Sequence, residues 1–218
     1  MLRIRTLGSV PYHEASALQH ALAQGTDADY LLVLQHPHVF TLGAHADPSH
    51  VLVDPASVGA ALEKTDRGGD VTYHGPGQLV AYPIISVPDA LSSGTAHVHR
   101  LEQIVIATLT DIGLPGATCV EKYPGVWIDA DGPRPRKIAA IGVRTVRGAS
   151  GQRRTLHGVA LNVDPDLTHF SGIVPCGVAE AHYGVTSLAD LGRPATMEQA
   201  DAGLRAAFET VFGPTRSG

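Results

Sequence analysis

Two long apolar and β-branched runs lie next to each other in the second half of the chain. Residues 138–146 and 154–163 are separated only by the polar, glycine-containing loop 147–153. Strands joined by so short a loop pair antiparallel, because a parallel partner needs a crossover of a dozen or more residues. The sequence therefore predicts an α+β fold with a mixed, largely antiparallel sheet and helices packed on one side of it, rather than a doubly wound parallel fold. Shorter strands are predicted at 30–35, 78–87 and 125–129.

Three segments combine helical periodicity with recognisable ends. One lies near the N-terminus, and a second covers residues 97–112. The third covers about 196–212, where Thr196 and Gln199 have the spacing of a capping box. Because the sequence has no repeat and no convincing linker, we expect a single domain, residues 1–218, with the third helix packed on it.

The charge and hydropathy of the chain exclude several classes of protein. It has 16 basic and 21 acidic residues and a formal charge of -5, which argues against a nucleic-acid partner. Its longest mainly apolar stretch, residues 79–87, is far shorter than the ~20 residues of a membrane span. No secretory signal can be drawn on the first residues. We therefore expect a cytoplasmic protein that binds neither nucleic acid nor membrane.

The densest unusual segment, residues 67–78, contains four glycines ahead of a strand. Such a density lets a ligand approach the backbone closely. The segment lacks the Lys-Ser/Thr ending of a phosphate-binding P-loop. Two tight turns around a short strand would be enough to explain the four glycines. Arg67, Tyr73 and His74, in contrast, favour a binding loop.

The chain has two cysteines, which exclude a disulfide framework and a Cys-x-x-Cys pair. Cys176 lies between Pro175 and Gly177, where the following N–H is free to stabilise an oxyanion. Thiol chemistry needs the thiolate, so a cation or a base must lie nearby. A lone cysteine is otherwise a small buried hydrophobe, and this is the prediction for Cys119.

Lys137 opens a strand of small residues, 138–142, which leaves room for a substrate against its face. The alternative is a solvated lysine at a loop edge. The twelve histidines raise the question of a metal, but their spacings match no structural zinc site, so no metal is expected.

Four motifs follow one another along the chain: RGGDVTYHGPGQ at 67–78, KIAAIG at 137–142, HGVALNV at 157–163 and IVPCG at 173–177. In this order and at these separations they resemble the octanoyl-[acyl-carrier-protein]:protein octanoyltransferases of lipoate biosynthesis. Two positions and one stretch depart from the pattern: Asp70 stands where glutamine is common, Gln35 stands where glutamate is common, and the stretch 130–136 is lengthened.

The resemblance implies the fold of the biotin and lipoate protein ligases and a cofactor-free, ping-pong transfer of octanoate. The donor is octanoyl acyl carrier protein, and the acceptors are lysines of the lipoyl domains of 2-oxoacid dehydrogenase complexes and of the glycine cleavage H protein. Cys176 is implied as the acyl-thioester nucleophile and Lys137 as the partner that promotes its ionisation. The implied substrate contacts are Arg67, Gly68, Gly69, Asp70, Val71, Thr72, Tyr73, His74, Ala140, Ile141, Gly142, Gly158, Val159 and Ala160.

Three other functions remain open. An ATP-dependent lipoate or biotin-type protein ligase would form an adenylate from the free acid and would not need Cys176. An acyl thioesterase would release free octanoate whether or not an acceptor is present. A non-catalytic acyl-binding module would be insensitive to replacement of Cys176.

A basic segment, residues 134–154, contains seven of the 16 basic residues and no acidic one. The sequence predicts a basic face near the Lys137 strand and along the hairpin tip, and this face would dock the acidic carrier protein. The alternative is an ordinary solvated hairpin.

Overall fold

The predicted hairpin forms the middle of a large sheet. The computed structural model describes residues 1–87, 94–175, 182–193 and 195–217. Within these ranges the helices are α1 (Tyr12–Gly25), α2 (Gly94–Asp111) and α3 (Met197–Phe212). The strands are β1 (Leu2–Ser9), β2 (Tyr30–Gln35), β3 (Val39–Leu42), β4 (Ala61–Lys64), β5 (Val71–His74), β6 (Gln78–Ile84), β7 (Ser86–Val87), β8 (Thr118–Val120), β9 (Tyr123–Ile128), β10 (Arg136–Arg147), β11 (Arg153–Asn162), β12 (Gly184–Val185) and β13 (Thr215–Ser217).

The large sheet confirms the prediction of a mixed, largely antiparallel α+β fold. Its strand order is β13-β1-β2-β6-β11-β10-β9-β8, with β7 beside β11 and β12 beside β10. β1 pairs in parallel with β2 and β13, whereas each neighbouring pair from β2 to β8 in that order is antiparallel. Arg147 lies opposite Arg153, so the hairpin extends one residue further at its tip than the sequence predicts.

Helices cover both faces of the sheet, so the expectation of helices on one side is wrong. Leu31 and Val33 of β2 belong to the core that includes α2 and α3, whereas Leu32 and Leu34 pack with α1 on the opposite face. Side chains alternate along a strand, so a strand covered on both faces is apolar at nearly every position. The uninterrupted apolar run of β2 was therefore the available signal for this arrangement.

The helix ends follow the capping signals of the sequence. Thr196 and Gln199 form the predicted capping box at the start of α3, each side chain bonding the other's backbone N–H. α2 starts three residues earlier than predicted and ends before Gly113, whose φ of 87° is the left-handed conformation of a helix C-cap. Within the described ranges, the helices are too short or too polar to cross a membrane.

A second, small sheet has no counterpart in the sequence prediction. Its strands pair in the order β4-β3-β5 and are four residues each, too short for an alternating pattern to stand out. Phe40 and Tyr73 of this sheet pack with Phe170 in a core of their own. The sheet concerns the site because β5 belongs to the glycine-rich segment.

The basic segment 134–154 does not form the continuous basic face that the sequence predicts. Arg154 is fully buried, and its guanidinium donates to three main-chain carbonyl oxygens at 2.6 to 2.9 Å. Lys137 is buried as well, and Arg136 pairs with Asp129 at 2.8 Å. The prediction is therefore wrong at these three basic positions, while the arginines at the hairpin tip are exposed.

His97 of α2 should make the fold sensitive to acid. It is 1% exposed, and neither ring nitrogen has a hydrogen-bond partner among the described residues. Burial lowers the pKa of His97 to about 4. The unfolded chain therefore binds the proton first as the pH falls below about 6.5, and the free energy of unfolding drops between about pH 6.5 and pH 4.

Replacing His97 by leucine should raise the free energy of unfolding at pH 7 by about 1–2 kcal/mol, because it removes unpaired buried polar atoms. The same change should reduce the loss of stability between pH 6.5 and pH 4.5. Urea unfolding at the two pH values measures both effects. His45→Leu is the matched control, since His45 is exposed. A steeper pH dependence in His97→Leu than in the unmodified protein would contradict the prediction.

Candidate active site

A cavity of about 410 Å³ opens where the glycine-rich segment meets β10 and β11. Its volume lies in the ordinary range for small-ligand sites. Lys137 and the predicted contacts in 140–142 and 158–160 line it. So do the predicted contacts in 67–74, except Val71 and Tyr73. The structure thus brings together segments that are up to about ninety residues apart in the sequence.

The alternation of β5 explains the two exceptions. Thr72 and His74 point to the cavity, whereas Val71 and Tyr73 belong to the core of the small sheet. The Tyr73 hydroxyl lies 2.7 Å from Nδ1 of His38, on that far side. Successive side chains of a strand face opposite ways, so a contiguous motif on a strand cannot direct every residue at one ligand.

The glycine-rich segment is attached directly to β10. The Gly68 N–H donates to the Val143 carbonyl at 3.0 Å. A Cβ added at Gly142 would lie 3.1 Å from the Gly68 carbonyl oxygen, so a larger residue there would push the segment away. Arg67 is 7% exposed, and its guanidinium donates to the main-chain carbonyl and the hydroxyl of Thr41 at 2.7 and 2.8 Å. Arg67 therefore lines the cavity while its charge holds the loop to β3.

Asp70 connects the glycine-rich segment to the loop that contains Asp47 and His50. Its carboxylate accepts the N–H groups of Asp47 and Val71 at 3.1 and 2.8 Å and pairs with the His50 ring. The His50 carbonyl in turn accepts the Val174 N–H at 2.8 Å. A glutamine side chain carries no charge for such a pair, which gives the aspartate a structural explanation at this position.

One wall of the cavity consists of buried histidines and tyrosines. Tyr12, His74, Tyr82 and His157 line it. The Tyr12 hydroxyl lies 3.4 Å from Nδ1 of His157, and behind the wall His36 Nε2 lies 2.8 Å from the Tyr82 hydroxyl.

Burial disfavours a charge on each side chain of this wall. Burial lowers the pKa of His36 to about 4 and places the pKa of His74 well below its ordinary value. Burial also lowers the pKa of His157, although Asp66, 2.8 Å from its Nε2, favours the charged ring. The pKa values of the two tyrosines are raised, again mainly by burial. This side of the cavity therefore suits an uncharged part of a ligand.

Lys137 lies between this cavity and a smaller one of about 270 Å³. Its Nζ donates to the Pro124 carbonyl at 2.9 Å and lies 4.7 Å from the centre of the Trp127 ring. The side chain is 6% exposed, so the alternative of a solvated lysine at a loop edge is wrong. A buried cation at the mouth of two cavities can hold a negative charge in either of them.

Cys176 lies outside the described residues. Pro175, the residue before it, lines the smaller cavity together with Lys137. The chain segment leading to the cysteine is fixed, because the Val174 N–H is bonded and Ile173 bridges to Val51.

Tyr12, Tyr82 and His157 line the cavity, although the sequence motifs assign none of them a role. His157 opens the HGVALNV motif, so its position was a usable signal. Its φ of 59° is a conformation that non-glycine residues seldom adopt. Tyr12 and Tyr82 lie outside every motif, and only the packing of α1 against β6 and β11 brings them to the site.

No group of three or more His, Cys, Asp or Glu residues in the described ranges converges as metal ligands would. The histidines of the cavity wall instead lie within hydrogen-bonding distance of tyrosine, carboxylate or amide groups. His74 Nδ1, for example, lies 3.1 Å from the Gln78 side-chain oxygen.

The fold and the site together define a lipoyl ligase type of catalytic domain. The family described as lipoyl protein ligase A/B catalytic domain matches residues 11–209, so the chain belongs to this family. The bi-partite lipoate protein ligase of Thermoplasma acidophilum has the same fold, with a TM-score of 0.77, 20% identity, and coverage of 99% of this chain and 86% of that one.

Within the family the chain belongs to the octanoyltransferases, which are acyltransferases. An octanoyltransferase of Rhodopseudomonas palustris (strain BisA53) is 46% identical over 95% of this chain and 87% of its own length. An octanoyltransferase of Mycobacterium sp. (strain KMS) is 47% identical over 91% of this chain and 80% of its own length. The family resemblance that the four motifs carry is thereby confirmed.

Proposed function

We propose that this protein transfers an octanoyl group from acyl carrier protein to a lysine of lipoyl domains through a thioester on Cys176. The observation that carries the proposal is the main cavity, where the residues of three motifs meet beside Lys137. The fourth motif, which contains Cys176, approaches the same lysine from the other side through Pro175.

The reaction proceeds in two balanced steps. In the first, the Cys176 thiolate attacks the thioester carbonyl of the donor and a new carbon–sulfur bond forms. The bond between that carbon and the carrier's sulfur breaks, and the carrier leaves as a thiolate that takes a proton from solvent. In the second, the neutral amine of the acceptor lysine attacks the enzyme thioester, the amide forms, and Cys176 recovers its thiolate while the amine proton passes to a base. Thioester to amide transfer is downhill and needs no ATP. Lys137 stabilises the thiolate by its charge.

The apolar lining of the cavity supports an acyl chain as the ligand. An octanoyl tail buries about six methylenes, worth roughly 5 kcal/mol at ~0.8 kcal/mol each. Apolar surface in the cavity comes from Ala140, Ile141, Val159 and Ala160. The adjoining wall of buried histidines and tyrosines, where burial disfavours charge, also suits an uncharged tail. We propose that the residues of 67–74, 140–142 and 158–160 that line the cavity contact this tail and its carbonyl.

The partners follow from the same reaction. We propose octanoyl acyl carrier protein as the donor in the cytoplasm, and the lipoyl domains of 2-oxoacid dehydrogenase complexes and the glycine cleavage H protein as acceptors. The structure of the Thermoplasma acidophilum ligase was described together with its E2 lipoyl domain, which supports a lipoyl domain as the acceptor class.

Intact-mass measurement tests the proposal. The protein mixed with octanoyl carrier protein should gain one octanoyl group that hydroxylamine removes, and added lipoyl domain should take up that group on a lysine. Free octanoate with ATP should give no adenylate.

Each alternative predicts a different result. Adenylate formation from free octanoate would indicate a ligase, and release of free octanoate without acceptor would indicate a thioesterase. Binding of the donor with no adduct and no transfer would indicate an acyl-binding module.

A further inference from the structure

Glu102 is a buried carboxylate that the proposed reaction does not use. It lies on α2, is 2% exposed, and is absent from the described residues that line the two larger cavities. A carboxylate so deeply buried is strongly destabilising unless charged or hydrogen-bonded partners replace the lost water. Its partners therefore indicate its role.

The two carboxylate oxygens of Glu102 face different partners. Oε2 lies 2.8 Å from Nδ1 of His99, whose side chain is exposed. Oε1 accepts a bond of 3.0 Å from the main-chain N–H of Gly125. This N–H belongs to the same peptide group as the Pro124 carbonyl, which accepts the bond of 2.9 Å from Lys137 Nζ. A single peptide group therefore separates the carboxylate from the ammonium group.

The peptide and the lysine are packed closely together. Gly125 has a φ of 131°, and an added Cβ would lie 2.5 Å from the Ala139 carbonyl oxygen. The same Cβ would lie 3.3 Å from both Cδ and Cε of Lys137. The orientation of this peptide therefore determines where the lysine side chain can lie.

We propose that Glu102 is a positioning residue that holds Lys137 in place through the Pro124–Gly125 peptide. The negative charge of Glu102 beside the Gly125 N–H polarises the peptide group. This strengthens the hydrogen bond between the Pro124 carbonyl and the Lys137 ammonium group. Glu102 thereby keeps Nζ between the two cavities. The inference rests on the role proposed above for Lys137.

Competitive labelling of lysines with acetic anhydride tests this coupling without any substrate. The chain has three lysines, and Lys64 is an exposed internal reference. Glu102→Ala should raise the labelling of Lys137 relative to Lys64 about tenfold, because the Pro124 carbonyl that accepts from Nζ is no longer held in place and the nearby charge is lost. Glu102→Gln keeps an acceptor for Gly125 but no charge, and should raise the ratio about threefold.

Activity provides a second, separate measurement. Glu102→Ala should lower kcat about tenfold and leave KM for octanoyl carrier protein unchanged, since Glu102 does not touch the substrate. Glu121→Gln is the matched control: Glu121 is exposed, and its loss of charge should change neither quantity.

The outcomes separate this inference from the proposed function. A Lys137 to Lys64 ratio equal to that of the unmodified protein in either variant, or a raised ratio with unchanged kcat, would overturn the role of Glu102. If Glu102→Ala does not fold, the labelling ratio of Glu102→Gln is the test of the inference. Absence of octanoyl transfer in the unmodified protein would overturn the proposed function whatever the labelling ratio.

Discussion

Replacing Cys176 by serine or alanine should abolish the octanoyl adduct and lower kcat/KM for octanoyl transfer by about 10⁴-fold or more, as loss of a covalent nucleophile does. A serine hydroxyl is far less ionised than a thiol at neutral pH, so it cannot take over the attack on the thioester. Intact-mass measurement and a transfer assay with lipoyl domain check the two effects. The variants should keep the melting temperature of the unmodified protein within a few degrees.

Cys119 provides the matched control because it is the other cysteine of the chain. Burial raises the pKa of Cys119 to about 11, with help from the charge of Glu102 and a hydrogen bond to it. Only about one thiol in ten thousand is then ionised at pH 7. Cys119→Ser should therefore form the adduct and transfer octanoate normally. An adduct that maps to Cys119, or one that survives in Cys176→Ser, would refute the assignment of the nucleophile.

Replacing Lys137 by methionine should slow alkylation of Cys176 by iodoacetamide at pH 7 about tenfold to a thousandfold. A neighbouring cation favours the ionised form of an acid by about one to three pKa units, and methionine fills similar space without the charge. Octanoyl transfer should slow by a comparable factor, because only the thiolate attacks. Stopped reactions followed by peptide mass spectrometry measure alkylation at each cysteine separately.

Lys122→Met is the control for the lysine change, because Lys122 lies at the exposed edge of the main cavity. It should leave alkylation of Cys176 within about twofold of the unmodified protein. Alkylation should stay far slower at Cys119 than at Cys176 in every sample, because burial raises the pKa of the Cys119 thiol to about 11. Equal alkylation rates for Lys137→Met and the unmodified protein from pH 6 to pH 9 would remove Lys137 from the mechanism.

The elements that could be predicted are those with strong local signals. The hairpin 138–163 followed from two apolar runs and a polar loop, and the capping box of α3 followed from Thr196 and Gln199. Both are confirmed. The small sheet β4-β3-β5 could not be predicted, because four-residue strands carry too little periodicity. Its formation depends on the packing of Phe40, Tyr73 and Phe170 across the sequence.

The candidate site, like the fold, could be predicted only in part from the sequence. The motifs named Lys137 and the cavity-lining contacts through their resemblance to the octanoyltransferases. Their glycines and small residues are typical of places where a backbone approaches a ligand or another backbone. They could not tell that Val71 and Tyr73 face away, since direction depends on which side of β5 meets the large sheet. The roles of Cys176 and of the contact residues stay predictions, as does the single domain.

The fold class, the family and the order of the chemistry-bearing segments follow from the amino-acid sequence alone, because these depend on local propensity and on residues that stand close together in the chain. Which charges are available depends on how the chain packs in three dimensions. Arg154 and Lys137 look equally basic in the sequence, yet Arg154 is enclosed by carbonyl oxygens of β6 and of the loop before β2, while Lys137 opens onto two cavities. Glu102 meets Lys137 across one peptide for the same reason. Burial and pairing depend on distant segments, and no local pattern of residues encodes them.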